Sequence, residues 1–75
     1  MQVRVKLMGV LKAKSPEGDK LELPDGSTVR QALVVLDIST DRVHVFSING
    51  TLERNLDRRL EPNDELTVLA PVGGG

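Results

Sequence analysis

The sequence predicts an α+β domain in which one helix covers one face of a mixed β-sheet. Three observations predict this class. Alternating apolar and polar residues near both ends of the chain are typical of half-buried strands, a central stretch has helical apolar spacing, and turn residues separate these elements. A single helix between two groups of strands must bury its apolar stripe against their sheet. We therefore expect four to five strands and one helix.

The first two strands are predicted to form an antiparallel hairpin. Residues 2–8 alternate strictly, and a shorter alternation follows from Lys20 to Leu23. The segment between them, from Gly9 to Gly18, is rich in Gly, Ser, Pro and charge and is interpreted as a loop. Leu21, Leu23 and the inward residues of the first strand join the predicted core: Val3, Val5 and Leu7.

The helix is predicted to begin at Thr28. Thr28 and Gln31 have the spacing of a capping box, in which each side chain hydrogen-bonds a backbone N–H of the other residue. The apolar stripe has helical spacing and ends at Leu36, and the polar residues 37–42 close the helix without a glycine cap. The stripe consists of Val29, Ala32, Leu33 and Leu36.

The second half of the chain is predicted to contain three strands. The third strand spans 43–48, and Asn49-Gly50 favours a two-residue type I′ turn into a brief strand that starts at Thr51. Residues 54–60 are expected to form an irregular arm or one 3₁₀ turn. After a turn at 62–64, alternation marks a last strand, which we place beside the first strand, parallel to it, at the centre of the sheet. Leu56, Leu66 and Val68 complete the predicted core.

Size, cysteine content and charge limit the function. A 75-residue chain forms one small domain, here 1–70 with a flexible tail at 71–75, and it lacks room for a deep catalytic cleft. The sequence contains no cysteine, which excludes a thiolate metal site and a cysteine nucleophile, and we expect no metal. Ten Lys and Arg balance eleven Asp and Glu, and Phe46 is the single aromatic residue, which argues against nucleic acid as a partner.

No apolar run approaches the ~20 residues of a membrane span, and the first residues form a strand pattern rather than a signal peptide. We therefore expect no membrane partner and a cytoplasmic location. The only histidine, His44, has no second ligand or nucleophile near it in sequence, so we interpret it as a surface residue.

The strand order and the end of the chain resemble the ubiquitin-like β-grasp sulfur carriers. Residues 62–75 are similar to the end of these proteins, where an acidic turn and a hydrophobic strand precede a P-V-x-G-G motif, with Gly73 in the variable position. The segments 23–29 and 48–50 are similar too, although Asn63 stands where the family usually has glycine. The resemblance covers almost the whole chain.

The resemblance implies that the chain is a carrier and not itself an enzyme. The carboxylate of Gly75 would be adenylated by a ubiquitin-activating-type adenylyltransferase and converted to a thiocarboxylate that donates sulfur in cofactor synthesis. ATP would be used by that partner, and no cofactor would be bound here. The second partner would be the large subunit of a molybdopterin synthase, which the proline of the motif favours, or a thiazole synthase. The residues entering the partner's site would be Pro71, Val72, Gly73 and Gly74.

Two alternatives stay open from the sequence: a protein modifier conjugated through Gly75, and a non-covalent β-grasp interaction domain. A docking patch is expected on the open sheet face. If Leu66 and Val68 point inward, Leu69 lies on that face, and Phe46 joins it if Val43 and Val45 also point inward. If the third strand has the opposite parity, Phe46 is a core residue.

Overall fold

The computed structural model describes residues 1–43 and 45–70, which form a five-stranded mixed sheet with one helix. The sheet order is β2-β1-β5-β3-β4. The strands are β1 (Gln2–Met8), β2 (Lys20–Glu22), β3 (Val45–Ile48), β4 (Thr51–Glu53) and β5 (Glu65–Leu69). The predicted flexible tail at 71–75 and His44 lie outside the described residues.

The central pair of strands confirms the prediction for the two ends of the chain. β1 and β5 run parallel, with Val5 opposite Leu66 and Leu7 opposite Val68. β2 pairs antiparallel with β1, and β3 pairs antiparallel with both β5 and β4. β1 and β5 each bury one face and leave the other more accessible, which is why apolar and polar residues alternate along them.

Helix α1 (Val29–Val35) begins as predicted. Thr28 Oγ1 accepts from Gln31 N at 3.3 Å, and Gln31 Oε1 accepts from Thr28 N at 2.8 Å, which completes the capping box. The next two free N–H groups, of Val29 and Arg30, donate to backbone carbonyls of the arm at 54–60. The arm therefore satisfies the N-terminus of the helix and holds it against the sheet.

The helix ends in a Schellman arrangement without glycine. Asp37 adopts a φ of 60°, its N–H donates to Val34 O at 3.0 Å, and the N–H of Ile38 donates to Leu33 O at 2.9 Å. Ile38 is buried by the turn and packs in the core cluster with Leu33. An aspartate tolerates the left-handed conformation through its short polar side chain, which explains the absence of a glycine cap.

The connection between β1 and β2 is more ordered than the loop predicted for it. It forms two 3₁₀ segments, Gly9–Lys14 and Glu17–Asp19, and a third 3₁₀ turn, Thr40–Arg42, follows the helix. Leu11 is buried and anchors the connection to the core. The arm at 54–60 contains no 3₁₀ helix and is held by the hydrogen bond from Leu60 N to Ser27 O.

One core lies between the helix and the inner face of the sheet. Leu56 belongs to its margin and is only partly buried, in contrast to the prediction. Five further apolar residues are buried that the apolar patterns did not assign to the core: Leu11, Ile38, Phe46, Ile48 and Leu60. Each lies in a short or irregular segment, where periodicity has too few residues to indicate a face.

The side chains of β3 alternate in the sense that buries Phe46. Phe46 pairs with Val68 and Ile48 pairs with Leu66, so both side chains share the inner face with the core residues of β5. Val45 faces the other side, opposite Leu69. Val43 packs on the margin of the core, but it lies before β3 begins. Its position therefore does not predict which face Val45 occupies within the strand. Register with β5 decides which face each β3 residue occupies.

Within the described ranges, no helix is long and apolar enough to cross a membrane.

Candidate functional site

The open face of the sheet, opposite the helix, carries an apolar patch at one end. The pairings Met8 with Leu69 and Leu69 with Val45 place three apolar side chains in one row across β1, β5 and β3. Leu52, opposite Ser47 on β4, is the diagonal neighbour of Val45. We define the apolar patch as Met8, Val45, Leu52 and Leu69.

The apolar patch is accessible. Met8 is 47% exposed and Leu52 is 71% exposed, while Val45 and Leu69 are half-buried between their neighbours. Exposed apolar clusters on a small soluble domain are a common feature of interaction sites. The patch therefore has the composition of a docking surface.

The rest of the open face is polar, which bounds the patch. The adjacent row runs through Lys6, Thr67 and Ser47 and ends at Leu52 of the patch, and the row beyond it pairs Arg4 with Glu65. Arg4 Nη1 lies 4.0 Å from Glu65 Oε2, and both groups are solvent-accessible, so this ion pair contributes little to stability. The arrangement of an apolar centre beside a charged margin matches the usual anatomy of an interface.

The apolar patch lies beside the point where the chain leaves the sheet. β5 ends at Leu69, a member of the patch, and Ala70 is partly buried against the core. A Cβ placed on Gly9, which has a φ of 65°, would stand 3.6 Å from the Ala70 Cβ. The turn at Gly9 thus lies next to Ala70, beside the patch.

The two residues predicted for the docking patch separate in the structure. Leu69 lies on the open face, as its parity in β5 predicts. Phe46 is only 3% exposed and belongs to the core, so its assignment to the exposed patch is wrong. The physical reason is the β3 register, which makes Val45 rather than Phe46 the neighbour of Leu69.

Two shallow depressions flank the patch. A cleft of about 470 Å³ opens where β4 leaves β3, with Val45 and Phe46 in its wall and Glu53 and Arg54 among its charged lining residues. A groove of about 500 Å³ runs between the open face and the 3₁₀ connection, lined by Met8, Lys6 and Lys12 among others. Both share a residue with the patch, so a partner segment on the patch can extend into either.

Glu53 lies at the edge of the first cleft, and its neighbours lower the pKa of its carboxylate. Its Oε1 accepts hydrogen bonds from Asn55 N at 3.2 Å and Arg54 N at 3.0 Å, and its Oε2 lies 3.3 Å from Arg58 Nη1. These contacts hold the pKa of Glu53 below its usual value. The hydrogen bond from Asn55 N contributes most, followed by that from Arg54 N and by the charge of the Arg58 guanidinium. The carboxylate therefore fixes the turn after β4.

Residues 1–43 and 45–70 contain no group of three His, Asp or Glu side chains placed to hold a metal ion.

Sequence patterns missed most of the patch. Met8 occupies an outward position of β1, whose alternation is visible in the sequence, so an apolar residue at that position was the available signal. Leu52 lies in a three-residue strand that was predicted only from the Asn49-Gly50 turn, so no alternation indicated its face. Pro71, Val72, Gly73, Gly74 and Gly75, the predicted reacting tail, lie outside the described residues, so their role stays a prediction.

Comparison with protein families gives one match. The model of the ThiS family matches residues 5–75 of this chain, from the middle of β1 through the last glycine. A comparison with curated protein sequences gives no significant match.

Solved structures with the same fold come from archaea and bacteria. The chain is similar to SAMP1 from Haloferax volcanii, with a TM-score of 0.73, 22% identity and all of both chains covered. It is similar to a candidate molybdopterin converting factor, subunit 1, from Pyrococcus furiosus, with a TM-score of 0.72, 22% identity, and 96% of this chain and 99% of the other covered.

The chain is also similar to a structure from Helicobacter pylori, a complex of subunits 1 and 2 of molybdopterin-converting factor. Here the TM-score is 0.62 at 22% identity, with all of both chains covered. These likenesses establish the fold, a ubiquitin-like β-grasp.

Proposed function

Because this chain belongs to the ThiS family, we propose that it is a sulfur carrier whose reacting group is the carboxylate of Gly75. The observation that carries the proposal is the family match, which extends through the Gly73-Gly74-Gly75 segment. The β-grasp domain itself then serves as a handle that partners recognise, and the chemistry takes place on the chain end inside a partner's site.

The proposed chemistry begins with activation. A carboxylate is a poor electrophile because its negative charge repels nucleophiles. In the proposal, an oxygen of Gly75 attacks the α-phosphorus of ATP and pyrophosphate leaves, which produces an acyl adenylate. A sulfide equivalent from a donor then attacks the carbonyl carbon, AMP leaves, and a thiocarboxylate remains. The activating enzyme binds ATP as its co-substrate, and this chain supplies the acyl group.

The sequence composition is compatible with this role. No cysteine is present in the chain, so no internal thiol competes for the activated carbonyl. Three glycines at the end carry no side chain that would obstruct a narrow channel. The five residues 71–75 reach at most about 17 Å from Ala70 when extended. That length lets the reacting end enter a pocket while the apolar patch contacts the rim.

The proposed partners are an adenylyltransferase of the ubiquitin-activating type and a larger synthase subunit. The Helicobacter pylori structure is a complex of two molybdopterin-converting-factor subunits, and the chain covers the whole of the matched one. We therefore propose the large subunit of a molybdopterin synthase as the acceptor of the sulfur. A thiazole synthase is the alternative acceptor, because the matching family model is that of ThiS.

Intact-mass measurement tests the reacting group. The protein ending at Gly75 is incubated with ATP, a sulfur donor and activating enzymes from its own host. Replacement of one oxygen by one sulfur is the expected change, and a fragment spectrum should assign it to Gly75. Two variants are controls: deletion of Gly75, and addition of one alanine after it. Neither variant should gain sulfur, while both retain the circular dichroism spectrum of the parent protein.

The acceptor pathway needs a second assay. The sulfur-loaded protein is mixed with a molybdopterin synthase large subunit and precursor, or in parallel with a thiazole synthase and its substrates. Loss of the thiocarboxylate mass together with product formation should occur in the molybdopterin reaction. Product in the thiazole reaction alone would move the chain to the alternative pathway. If the alanine-extended protein still supports synthesis, the reacting-end proposal fails and a non-covalent binding domain replaces it.

A second candidate function is protein modification through Gly75. The observation that favours it is the similarity to SAMP1, called small archaeal modifier protein 1, over the full length of both chains. Activation would be shared, and the amine of a lysine would displace AMP to form an amide. To distinguish the two functions, an affinity-tagged chain is expressed in the host and recovered from the cell extract. Covalent higher-mass species that disappear on deletion of Gly75 indicate modification.

A further inference from the structure

A clamp of side-chain hydrogen bonds ties the β3–β4 turn to the start of β5. Asn49 Nδ2 donates to Asp64 Oδ1 at 2.9 Å, and Asn49 Oδ1 accepts from Glu65 N at 2.9 Å. The other carboxylate oxygen, Asp64 Oδ2, accepts from Glu61 N at 2.8 Å. We define these three contacts as the Asn49 clamp. Every polar atom of the Asn49 amide group is engaged in it.

The clamp contains a buried carboxylate. Asp64 is only 8% exposed, yet its two oxygens each have a donor. The backbone at the same position takes part as well, because Arg4 N donates to Asp64 O at 2.8 Å. The Asn49 amide thus supplies a donor that the buried carboxylate requires, and an acidic group in its place could not donate when ionised.

The clamp holds a residue pair with intrinsic chemical reactivity. Asn49 is followed by Gly50, whose N–H is not screened by a side chain, and a Cβ added at Gly50 would meet nothing within 4 Å. In an Asn-Gly pair the glycine nitrogen can attack the asparagine Cγ. Asparagine is among the residues whose chemical lability limits proteins at high temperature. Asn49 is also at the exposed tip of the hairpin, where water has access.

We propose that Asn49 is a deamidation site and that the Asn49 clamp slows its deamidation in the folded protein. The deamidated residue in turn breaks the contacts of the clamp. Gly50 N forms a bond to Asn49 Cγ, the bond from Cγ to Nδ2 breaks, and ammonia leaves with the proton lost from Gly50 N. Water then hydrolyses the resulting succinimide at either carbonyl, producing aspartate or isoaspartate. This inference is independent of the proposed sulfur-carrier function.

The clamp slows the attack of Gly50 N on Asn49 Cγ, and the deamidated product weakens the clamp. While Nδ2 and Oδ1 hold Asp64 and Glu65, the side-chain amide is directed at β5, so attack by Gly50 N requires the contacts to break first. A product carboxylate at 49 would place negative charge beside the buried Asp64 carboxylate without a donor between them. The hairpin would then separate more easily from β5, the strand that leads to residues 71–75.

Peptide mapping by mass spectrometry tests whether the clamp slows deamidation of Asn49. The full chain is aged at neutral pH in native buffer and in urea, and the conversion at Asn49 is followed with time. Because one hydrogen bond to a charged group shifts a local equilibrium by about tenfold or more, conversion in native buffer should be at least about tenfold slower than in urea. Asn55 and Asn63, neither followed by glycine, are internal controls that should stay intact.

Two variants separate the clamp from general stability. Asp64→Ala removes the acceptor of Asn49 Nδ2 and should accelerate conversion at Asn49 in native buffer. Asp57→Ala also removes an acidic hydrogen-bond acceptor, that of Arg30 Nε, but on the distant arm, and should leave the rate unchanged. Asn49→Asp imitates one product and should unfold at lower urea concentration than the parent, which remains measurable if Asp64→Ala does not fold.

Equal conversion in native buffer and in urea would overturn the proposal. Equal rates for folded Asp64→Ala and Asp57→Ala would overturn it as well, since the clamp would then not control the reaction. An Asn49→Asp variant with the parent's urea midpoint would show that the product does not open the clamp, which also contradicts the proposal.

Discussion

At the scale of single residues, charge and shape act through a few short contacts. The Glu53 carboxylate closes the turn after β4 by accepting from Arg54 N and Asn55 N, and Arg58 lies beside it. The chain needs this carboxylate because β4 ends at an edge of the sheet, where the next backbone N–H groups have no strand to pair with. An acidic side chain thus replaces a sheet partner.

The lowered pKa of Glu53 predicts a specific acid dependence. Since the pKa is below its usual value of 4.5 in the folded protein, the carboxylate stabilises the fold above the unfolded pKa, and that contribution is lost as pH falls through the folded pKa. We expect Glu53→Gln to lower the free energy of unfolding at neutral pH. The difference from the parent should shrink in acid, as measured by urea unfolding at a series of pH values.

Glu61→Gln is the control for this prediction. Glu61 is exposed, and its side chain makes no hydrogen bond or ion pair with the described residues. The stability of this variant should follow that of the parent at each pH. A Glu53→Gln difference that is constant from neutral to acid pH would contradict the electrostatic explanation.

Phe46 gives a second prediction at this scale. Its burial against Val68 means that Phe46→Ala should destabilise the protein by about 3–5 kcal/mol, which is close to the whole stability of so small a domain. We therefore expect a broad loss of structure in circular dichroism. Leu52→Ser, on the exposed side of the same hairpin, should change the free energy of unfolding by no more than about 0.5 kcal/mol. Similar losses for both variants would contradict the β3 register.

At the scale of elements, the helix and the arm depend on each other. α1 spans only Val29–Val35, and a helix so short is not stable alone in water. Its ends are satisfied from both directions, by the capping box and arm carbonyls at the start and by the Schellman turn at Asp37 and Ile38. The capped ends therefore allow two turns of helix to cover the sheet.

Removal of the cap should cost a measurable part of the stability. Thr28→Ala deletes the acceptor for Gln31 N, and we expect a loss of about 1 kcal/mol. Thr28→Ser keeps the hydroxyl and should restore most of it. Chemical denaturation measures both variants. If alanine and serine are equivalent at this position, the arm carbonyls alone maintain the helix start.

At the scale of the whole molecule, the two faces of the sheet have separate roles. The inner face is fully occupied by the core, and the open face presents the apolar patch next to the end of β5. A domain with this division can bind a partner without disturbing its own packing. In the proposed function the patch would hold the domain while residues 71–75 extend into the partner.

A matched pair of substitutions tests this division. Leu52 on the patch and Val34 on the helix are 71% and 72% exposed, so either change to aspartate affects solvation similarly. We expect Leu52→Asp to weaken binding to the activating enzyme about tenfold or more, as for an interface hot spot, and Val34→Asp to leave it unchanged. Isothermal titration calorimetry provides the affinities. Equal affinities for the two variants would place docking on another surface.

The sequence by itself determined the features that depend on near neighbours in the chain. The alternation of β1, the capping box at Thr28 and the Asn49-Gly50 turn were each predicted from a few adjacent residues, because propensity, capping and turn geometry are local effects. The family was evident from the residues near the end of the chain, and the match through residue 75 confirms it.

Tertiary structure decided the features that depend on which residues meet across the fold. Phe46 is buried and Val45 faces outward because β3 pairs in one particular register with β5, and a shift by one residue would reverse both. Leu60 and Ile38 are buried by irregular segments that have no periodicity to read. The apolar patch exists only because four strands bring its members side by side, since residues distant in sequence become neighbours only when the sheet pairs.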